Sequence, residues 1–205
     1  MAVFNSWHYH RHTQRRQEHL TSLGLDLADR SVLEVGAGIG DHTSFFLDCA
    51  CSVLVTEARP ENQKVVRERY PDLAVRRLDL DDPPSEFVPT IEVVYCYGDL
   101  LLLETCVSLG DALERNPVRE KKSDFSQALE GTGCRPTRPW VWAELEKHFP
   151  FVYVTVTQPW HEEFPLDWRA PVGDDGLTRS VFVAAKRELA LSTLSPRLLY
   201  QQTRH

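Results

Sequence analysis

The chain has 205 residues, 42% hydrophobic and 26% charged, the make-up of an ordinary globular domain rather than a disordered, collagenous or coiled-coil chain. Its 23 Lys and Arg against 30 Asp and Glu leave a formal net charge of -7, a sign that repels phosphate backbones and argues against nucleic acid as a partner. The five cysteines, Cys49, Cys51, Cys96, Cys106 and Cys134, lack paired CxxC spacing, so neither a disulfide framework nor a zinc site is indicated.

The first residues are polar and His-rich where a signal peptide needs an apolar run, and no stretch of about 18 apolar residues could span a membrane, which predicts a soluble, cytoplasmic protein. A helix is predicted over 13–25, with Leu20 and Leu23 sharing a face and Arg15, Arg16 and Glu18 outside it. Residues 31–35 read as a short apolar strand, 36–40 as a tight glycine turn, and 41–49 as an amphipathic helix with Phe45, Phe46 and Leu47 available for packing. A second buried strand over 52–56 is followed by a helix over 60–70, with Pro60 in its first turn, and by a third strand over 74–78. After an acidic loop over 79–84, residues 91–96 and 100–106 read as a fourth and a fifth strand. Residues 110–139 are polar and broken by Asn116-Pro117, Gly131 and Gly133, which predicts a long loop with one helical turn. A helix over 140–148, a strand over 151–157, a loop over 158–179 and a strand over 180–185 follow, and 187–205 form a polar, peripheral tail. The alternation predicts an α/β fold, with 1–30 as a helical lid segment and 31–186 as the main domain.

The glycine turn carries the chemistry. Glu34 stands two residues before Gly36-Ala37-Gly38-Ile39-Gly40, and glycines there let the backbone take positive φ and approach a ligand closely, ahead of the free amides of a helix expected from Asp41. A dinucleotide turn would want GxGxxG, and Asp41 stands where its last glycine belongs. Glu57, at the end of the second strand and 21 positions after Gly36, suits a ribose diol, as found for NAD as well as for other nucleosides. Asp79 ends the third strand in RRLDLDD.

These residues resemble motif I and the two following acidic positions of the class I S-adenosylmethionine-dependent methyltransferases. The resemblance covers about residues 31–186 and is closest to small bacterial proteins carrying an EVGAGIGDHT turn and a CRPTRPW segment. It implies a three-layer Rossmann-like sheet, mostly parallel with an antiparallel last strand, and S-adenosyl-L-methionine as cofactor, with S-adenosyl-L-homocysteine as product. It implies cofactor contacts at Glu34, Gly36, Ala37, Gly38, Gly40 and Thr43, at Glu57, Ala58 and Arg59, at Asp79 and Leu80 near the adenine, and at Cys96 in VVYCYG, which resembles the strand end lining the site. The final strands YVTVT and SVFVAA resemble the antiparallel pair that closes this fold. The resemblance supplies no substrate.

One feature departs from the family. Cys96 and Leu100 are separated by only three residues, whereas a parallel crossover needs on the order of 10 to 12 or more. Three accounts stay open: residues omitted from the numbering between Gly98 and Asp99, a hairpin, or strand exchange between subunits. The first is preferred, and predicts Cα atoms there much farther apart than the roughly 3.8 Å of a trans peptide.

Methyl transfer to a hydroxyl or ammonium group needs a base, and His161 in the TQPWHEEF loop, followed by Glu162 and Glu163, is the candidate; a solvated loop histidine is the plain alternative. In WHYHRH, His8, His10 and His12 would share a face only on a strand, so metal binding is disfavoured. Trp7, Tyr9 and Arg11 instead suggest a lid, with Tyr9 and Arg11 reaching the cofactor. Arg135, Arg138 and Trp140, with Gln158, are substrate candidates, offering cations and an aromatic plane to an acidic or planar acceptor; the plain alternative is that Trp140 and Trp142 anchor a helix. The expected activity is methylation of a small-molecule O or N acceptor. The alternative is a catalytically impaired protein that binds S-adenosylmethionine or S-adenosylhomocysteine, and a nucleic-acid methyltransferase is a third reading that the charge opposes.

Overall fold

The computed structural model describes residues 2–80, 99–121, 131–170 and 177–205. The chain divides into two compact units, the first comprising residues 1–17, 25–92 and 119–132, the second 18–24, 93–118 and 133–205.

The first unit opens on a 3-10 turn, Ala2–Asn5, and most of helix α1, Trp7–Ser22, which therefore starts six residues earlier than the sequence pattern predicts. Strand β1 (Ser31–Val35), helix α2 (Thr43–Asp48), strand β2 (Ser52–Glu57), helix α3 (Pro60–Arg69) and strand β3 (Ala74–Arg77) follow. The strands form a parallel sheet in the order β1-β2-β3, with Val32 opposite Val53 and Leu54 opposite Ala74. The central strand carries the β-branched run: Val53 and Val55 are buried, as is Val66 on α3. Burial of each such side chain contributes about 1.5 to 3 kcal/mol. Helix α3 begins at a proline with preset φ, carries Glu61 in its first turn and Arg67 and Arg69 in its last, all favourable to the helix dipole. Helix α2 is shorter than predicted, because residues 41 and 42 continue the turn and His42 offers no side-chain cap.

Most of the remaining elements belong to the second unit. Strand β4 (Leu100–Val107) is followed by the short strands β5 (Pro117–Arg119) and β6 (Thr132–Cys134), helix α4 (Arg138–Glu146), strands β7 (Phe151–Thr155), β8 (Thr157–Gln158) and β9 (Thr178–Ala185), and the two-residue strands β10 (Leu194–Ser195) and β11 (Thr203–Arg204). Its main sheet has the order β10-β7-β9-β4, and β9 runs antiparallel to both neighbours, with Phe151 and Leu100 each opposite Ala185. The antiparallel closing pair expected from YVTVT and SVFVAA is thus present. Val141 and Leu145 of α4 pack with Val107, Val152, Val154, Phe182 and Ala184 in the core.

Several expectations are corrected. The stretch over 110–139 holds the short strands β5 and β6 on either side of residues 122–130, which lie outside the described residues, and α4 starts at Arg138 because Thr137 caps it, its hydroxyl accepting from Trp140 N at 3.4 Å. The strand predicted over 151–157 breaks at Val156, whose N–H turns aside to the carbonyl of Thr193 at 2.8 Å. The tail is not peripheral: β10 pairs with β7 and β11 with β8, and Leu194 and Gln202 are buried. The predicted strand over 91–96, most of the acidic loop over 79–84, and Cys96 and Gly98 lie outside the described residues. Because Gly98 is among them, the Cα separation that distinguishes the three accounts of the short link lies outside the described residues as well. Among the described residues no helix is long and apolar enough to cross a membrane.

Gln202 shows why the tail is held. Its Oε1 accepts from Gln158 Nε2 at 2.9 Å and Trp168 Nε1 at 2.6 Å, and its Nε2 donates to the carbonyl of Thr155. Gln202→Leu should lower stability by about 3 kcal/mol in urea unfolding, since it strands three buried polar partners. An unchanged unfolding midpoint would mean that the tail is peripheral after all.

Candidate functional site

In the first unit the glycine turn leaves β1 with φ of 68° at Gly36, 59° at Gly38 and 81° at Gly40. At Gly40 the requirement is twofold, because an added Cβ would also sit 2.9 Å from the Tyr70 ring. Above Gly36 such an atom would meet nothing within 4 Å among the described residues, so the backbone there is open to a ligand on their side.

The turn is tied down from several sides. Tyr70 donates its hydroxyl to the carbonyl of Gly40 at 3.0 Å, and Arg69 reaches the carbonyl of Ile39 at 2.7 Å and the Asp41 carboxylate at 2.5 Å. Gln17 on α1 donates to the Asp41 carbonyl at 2.6 Å. None of these supports is signalled by a sequence motif, since they depend on where α1 and the end of α3 come to lie.

Glu57 is buried at the carboxyl end of β2. One oxygen accepts from Gly38 N at 2.8 Å and the other from Arg59 N at 2.9 Å. A carboxylate offers about four acceptor sites, so each oxygen keeps capacity for a further donor. Gln63 on α3 donates to the Glu57 carbonyl at 2.9 Å and Ala37 N donates to the Thr56 carbonyl at 3.0 Å, which fixes the turn against β2. Asp79 is buried with Arg77 3.7 Å from its carboxylate, and the neighbouring Leu80 is 65% exposed, an apolar surface beside an acid. Ala58 is half-buried and Arg59 is buried.

Glu34 lies beneath the turn. Thr43, fully buried, donates its hydroxyl to Glu34 Oε2 at 2.6 Å, and Thr56 donates to the Glu34 carbonyl at 2.8 Å. Burial raises the Glu34 carboxyl to about 7, against the pull of the Thr43 hydrogen bond and the Arg16 charge. Arg16 is a residue that the sequence pattern does not single out. The lid residues separate: Trp7 is 78% exposed, whereas Tyr9 packs edge-on against Phe4 at 5.0 Å, and its hydroxyl is 3.9 Å from where a Cβ on Gly38 would stand. Burial, then the Asp41 charge, pushes the Tyr9 phenol up to about 12. Arg11 is half-buried, and on α1 the three histidines face different ways, with His8 and His10 exposed and His12 buried.

The other candidates belong to the second unit. His161 is not a solvated loop residue: it is 2% exposed, its Nδ1 accepts from Glu163 N at 3.3 Å, and its Nε2 is 3.7 Å from a Glu162 carboxylate oxygen. Gln158 is fully buried in the Gln202 network. Arg138 is buried and stacked on Trp168, Arg135 is half-buried, and Trp140 packs partly buried on the core. Among the described residues Cys49, Cys51, Cys106 and Cys134 are free thiols.

No protein-family model matches the chain, and no curated protein does. Among solved structures, the N-terminal domain of EvdMO1 in the presence of SAH and D-fucose is similar with a TM-score of 0.58 and 17% identity, over 89% of this chain and 85% of that one. The same domain with SAH bound is similar with a TM-score of 0.56 over the same shares, also at 17% identity. The glycopeptide N-methyltransferase MtfA complexed with sinefungin gives a TM-score of 0.45 at 15% identity, over 86% of this chain and 87% of that one. The EvdMO1 likeness establishes a shared fold.

A raised Glu34 makes stability depend on pH. Between its ordinary value of 4.5 and about 7 the folded chain holds a proton that the unfolded chain has released, so stability falls as pH rises through this window. Glu34→Gln keeps an acceptor for Thr43 and cannot ionise. It should flatten this part of the curve and raise stability at pH 8 by about 2 to 3 kcal/mol, read from melting temperatures across pH. Parallel wild-type and variant curves would show that Glu34 ionises at an ordinary pH.

Proposed function

We propose that the chain is an S-adenosylmethionine-dependent methyltransferase that methylates an O or N atom of a small molecule. The observation that carries this reading is Glu57: a buried carboxylate bound to the glycine turn through Gly38 N, with acceptor capacity left over, beside a Gly36 open to a ligand. The fold likeness to a domain crystallised with SAH supports the choice of cofactor.

In this reading Glu57 receives the ribose hydroxyls, Asp79 and Leu80 take the amino group and face of the adenine, and the backbone from Gly36 to Gly40 lies against the amino-acid portion. Ala58 and Arg59 border the ribose. Glu34 and Thr43 act from below by holding the turn, and Tyr9 and Arg11 cover it. The bound cofactor supplies an electrophilic methyl group on a sulfonium. The chain's part is to orient that group and exclude water, since proximity supplies much of the rate in such a transfer. His161 is the candidate base, and Arg135, Arg138, Trp140 and Gln158 are the candidates on the acceptor side. The short link from Cys96 to Leu100 favours one other reading, a protein that binds the cofactor without turnover.

Calorimetric titration decides the cofactor: S-adenosylmethionine and S-adenosylhomocysteine should bind and NAD should not, and the reverse order would overturn the proposal. Glu57→Gln, which replaces one acceptor oxygen by a donor, should weaken cofactor binding by about 1 to 3 kcal/mol. In an acceptor screen, turnover on any small molecule removes the binding-only reading. With such an acceptor in hand, His161→Asn should depress kcat and remove the acidic limb of the pH profile; an unchanged profile excludes His161 as the base.

A further inference from the structure

In the first unit one side chain takes the space over the middle glycine of the turn. Phe4, on the 3-10 turn Ala2–Asn5, is 3% exposed, and its ring carbons Cε1 and Cζ lie 3.5 and 3.8 Å from where a Cβ on Gly38 would stand. The ring packs edge-on against Tyr9 at 5.0 Å, whereas Trp7, between them in sequence, turns away and is exposed. Gly38 is also the residue whose N–H donates to Glu57 Oε2 at 2.8 Å, and Glu57 is itself buried, so a ligand that reaches it needs a neighbouring group to move. The segment that carries Phe4 is ordered by local bonds: Ser6 Oγ and Ser6 N donate to the carbonyl of Val3 at 2.8 and 3.2 Å, and Tyr9 N donates to Ser6 Oγ at 3.1 Å. None of these three bonds reaches the glycine turn, which Phe4 meets by apolar contact. Helix α1 is anchored separately, through the bond from Gln17 to the Asp41 carbonyl.

A Cβ on Gly38 would already touch the ring, so the gap between Gly38 and Phe4 is one methyl group deep. A ligand atom lying over Gly38 needs about 3.5 to 4.0 Å on each side, about 7 Å in all. Phe4 and such a ligand therefore exclude one another. Above Gly36 no described residue takes the corresponding place, so the block is local to Gly38 and the rings over it, of which Phe4 is the nearer. We propose that Phe4 is a plug of the cofactor site: its ring and the S-adenosyl ligand compete for one place over Gly38, and the 3-10 turn swings out as the ligand enters. The inference rests on the reading of the first unit as an S-adenosylmethionine site. Displacing the plug gives up the burial of one aromatic side chain, and a chain that binds only with the plug out has its apparent affinity lowered by the fraction of time the plug is in.

The test uses the full chain and S-adenosylhomocysteine, with calorimetry for affinity and stopped-flow mixing for association. Phe4→Ala should bind about tenfold more tightly and associate faster by a similar factor, with Phe4→Leu between it and the wild type. Weaker binding by Phe4→Ala would make Phe4 a wall of the site, and unchanged binding would make it a bystander; either overturns the proposal. Because loss of a buried ring can disturb folding, the second arm keeps the ring. With 2-fluorophenylalanine at position 4, the fluorine resonance should pass from buried to solvent-exposed as S-adenosylhomocysteine saturates the chain, read as a gained shift between light and heavy water. A resonance that stays buried at saturation overturns the plug and leaves the S-adenosylmethionine reading in place. No binding of S-adenosylhomocysteine by either the wild type or Phe4→Ala overturns both.

Discussion

The first unit depends on where one carboxylate goes. Glu57 ends β2, the middle strand of the parallel sheet, and joins the glycine turn after β1 to the start of α3 through two backbone N–H groups. Both donors belong to residues just outside regular structure, where no ladder partner exists, and a charged acceptor satisfies them more strongly than a neutral one. The glycines make the geometry attainable, since Gly36, Gly38 and Gly40 all hold positive φ. The same contact that orders the turn also holds a carboxylate at the carboxyl end of the sheet, where the proposed function places the ribose.

Buried polar groups organise both units, by different routes. Beneath the turn, Glu34 is buried with one hydroxyl donor and responds by favouring its neutral form. In the second unit Arg179 sits between Glu104 and Glu163, each 2.7 Å away, and so ties β9 to β4 and to the loop before it with charges fully paired. His19, fully buried on the last turn of α1, binds the carbonyl of Thr157 at 2.9 Å, and burial lowers its imidazole to about 4, so it serves as a neutral partner. Arg138 follows none of these routes: its guanidinium is neither paired with an acid of the described residues nor able to become neutral near pH 7.

Much of the first unit is legible in the chain because its signals are local. Apolar runs of four to six residues, Pro60 at a helix start and glycines at spacing two act within a few residues of themselves. They place β1, β2, α3 and β3 within two residues of the observed limits. The second unit is less legible. Nothing in the tail's polar composition signals that Leu194 fills the core or that Gln202 satisfies three buried groups, because those partners lie more than 30 residues away in sequence. The CRPTRPW segment is conspicuous for its cations and aromatics, yet Trp168, which fixes Arg138, carries no mark in its own neighbourhood.

What the sequence determines by itself is the identity and order of the chemistry: a glycine turn flanked by Glu34, Glu57 and Asp79 on successive strand ends, within an α/β alternation. The tertiary structure decides which atoms are occupied. It bonds Glu57 to Gly38 N, buries Glu34 with Thr43, turns Tyr9 inward and Trp7 outward on one helix, and joins Nη1 of Arg138 to the carbonyl of Leu199. Residue types and spacing specify which groups can bond, but burial and long-range packing determine which bonds they have left to make.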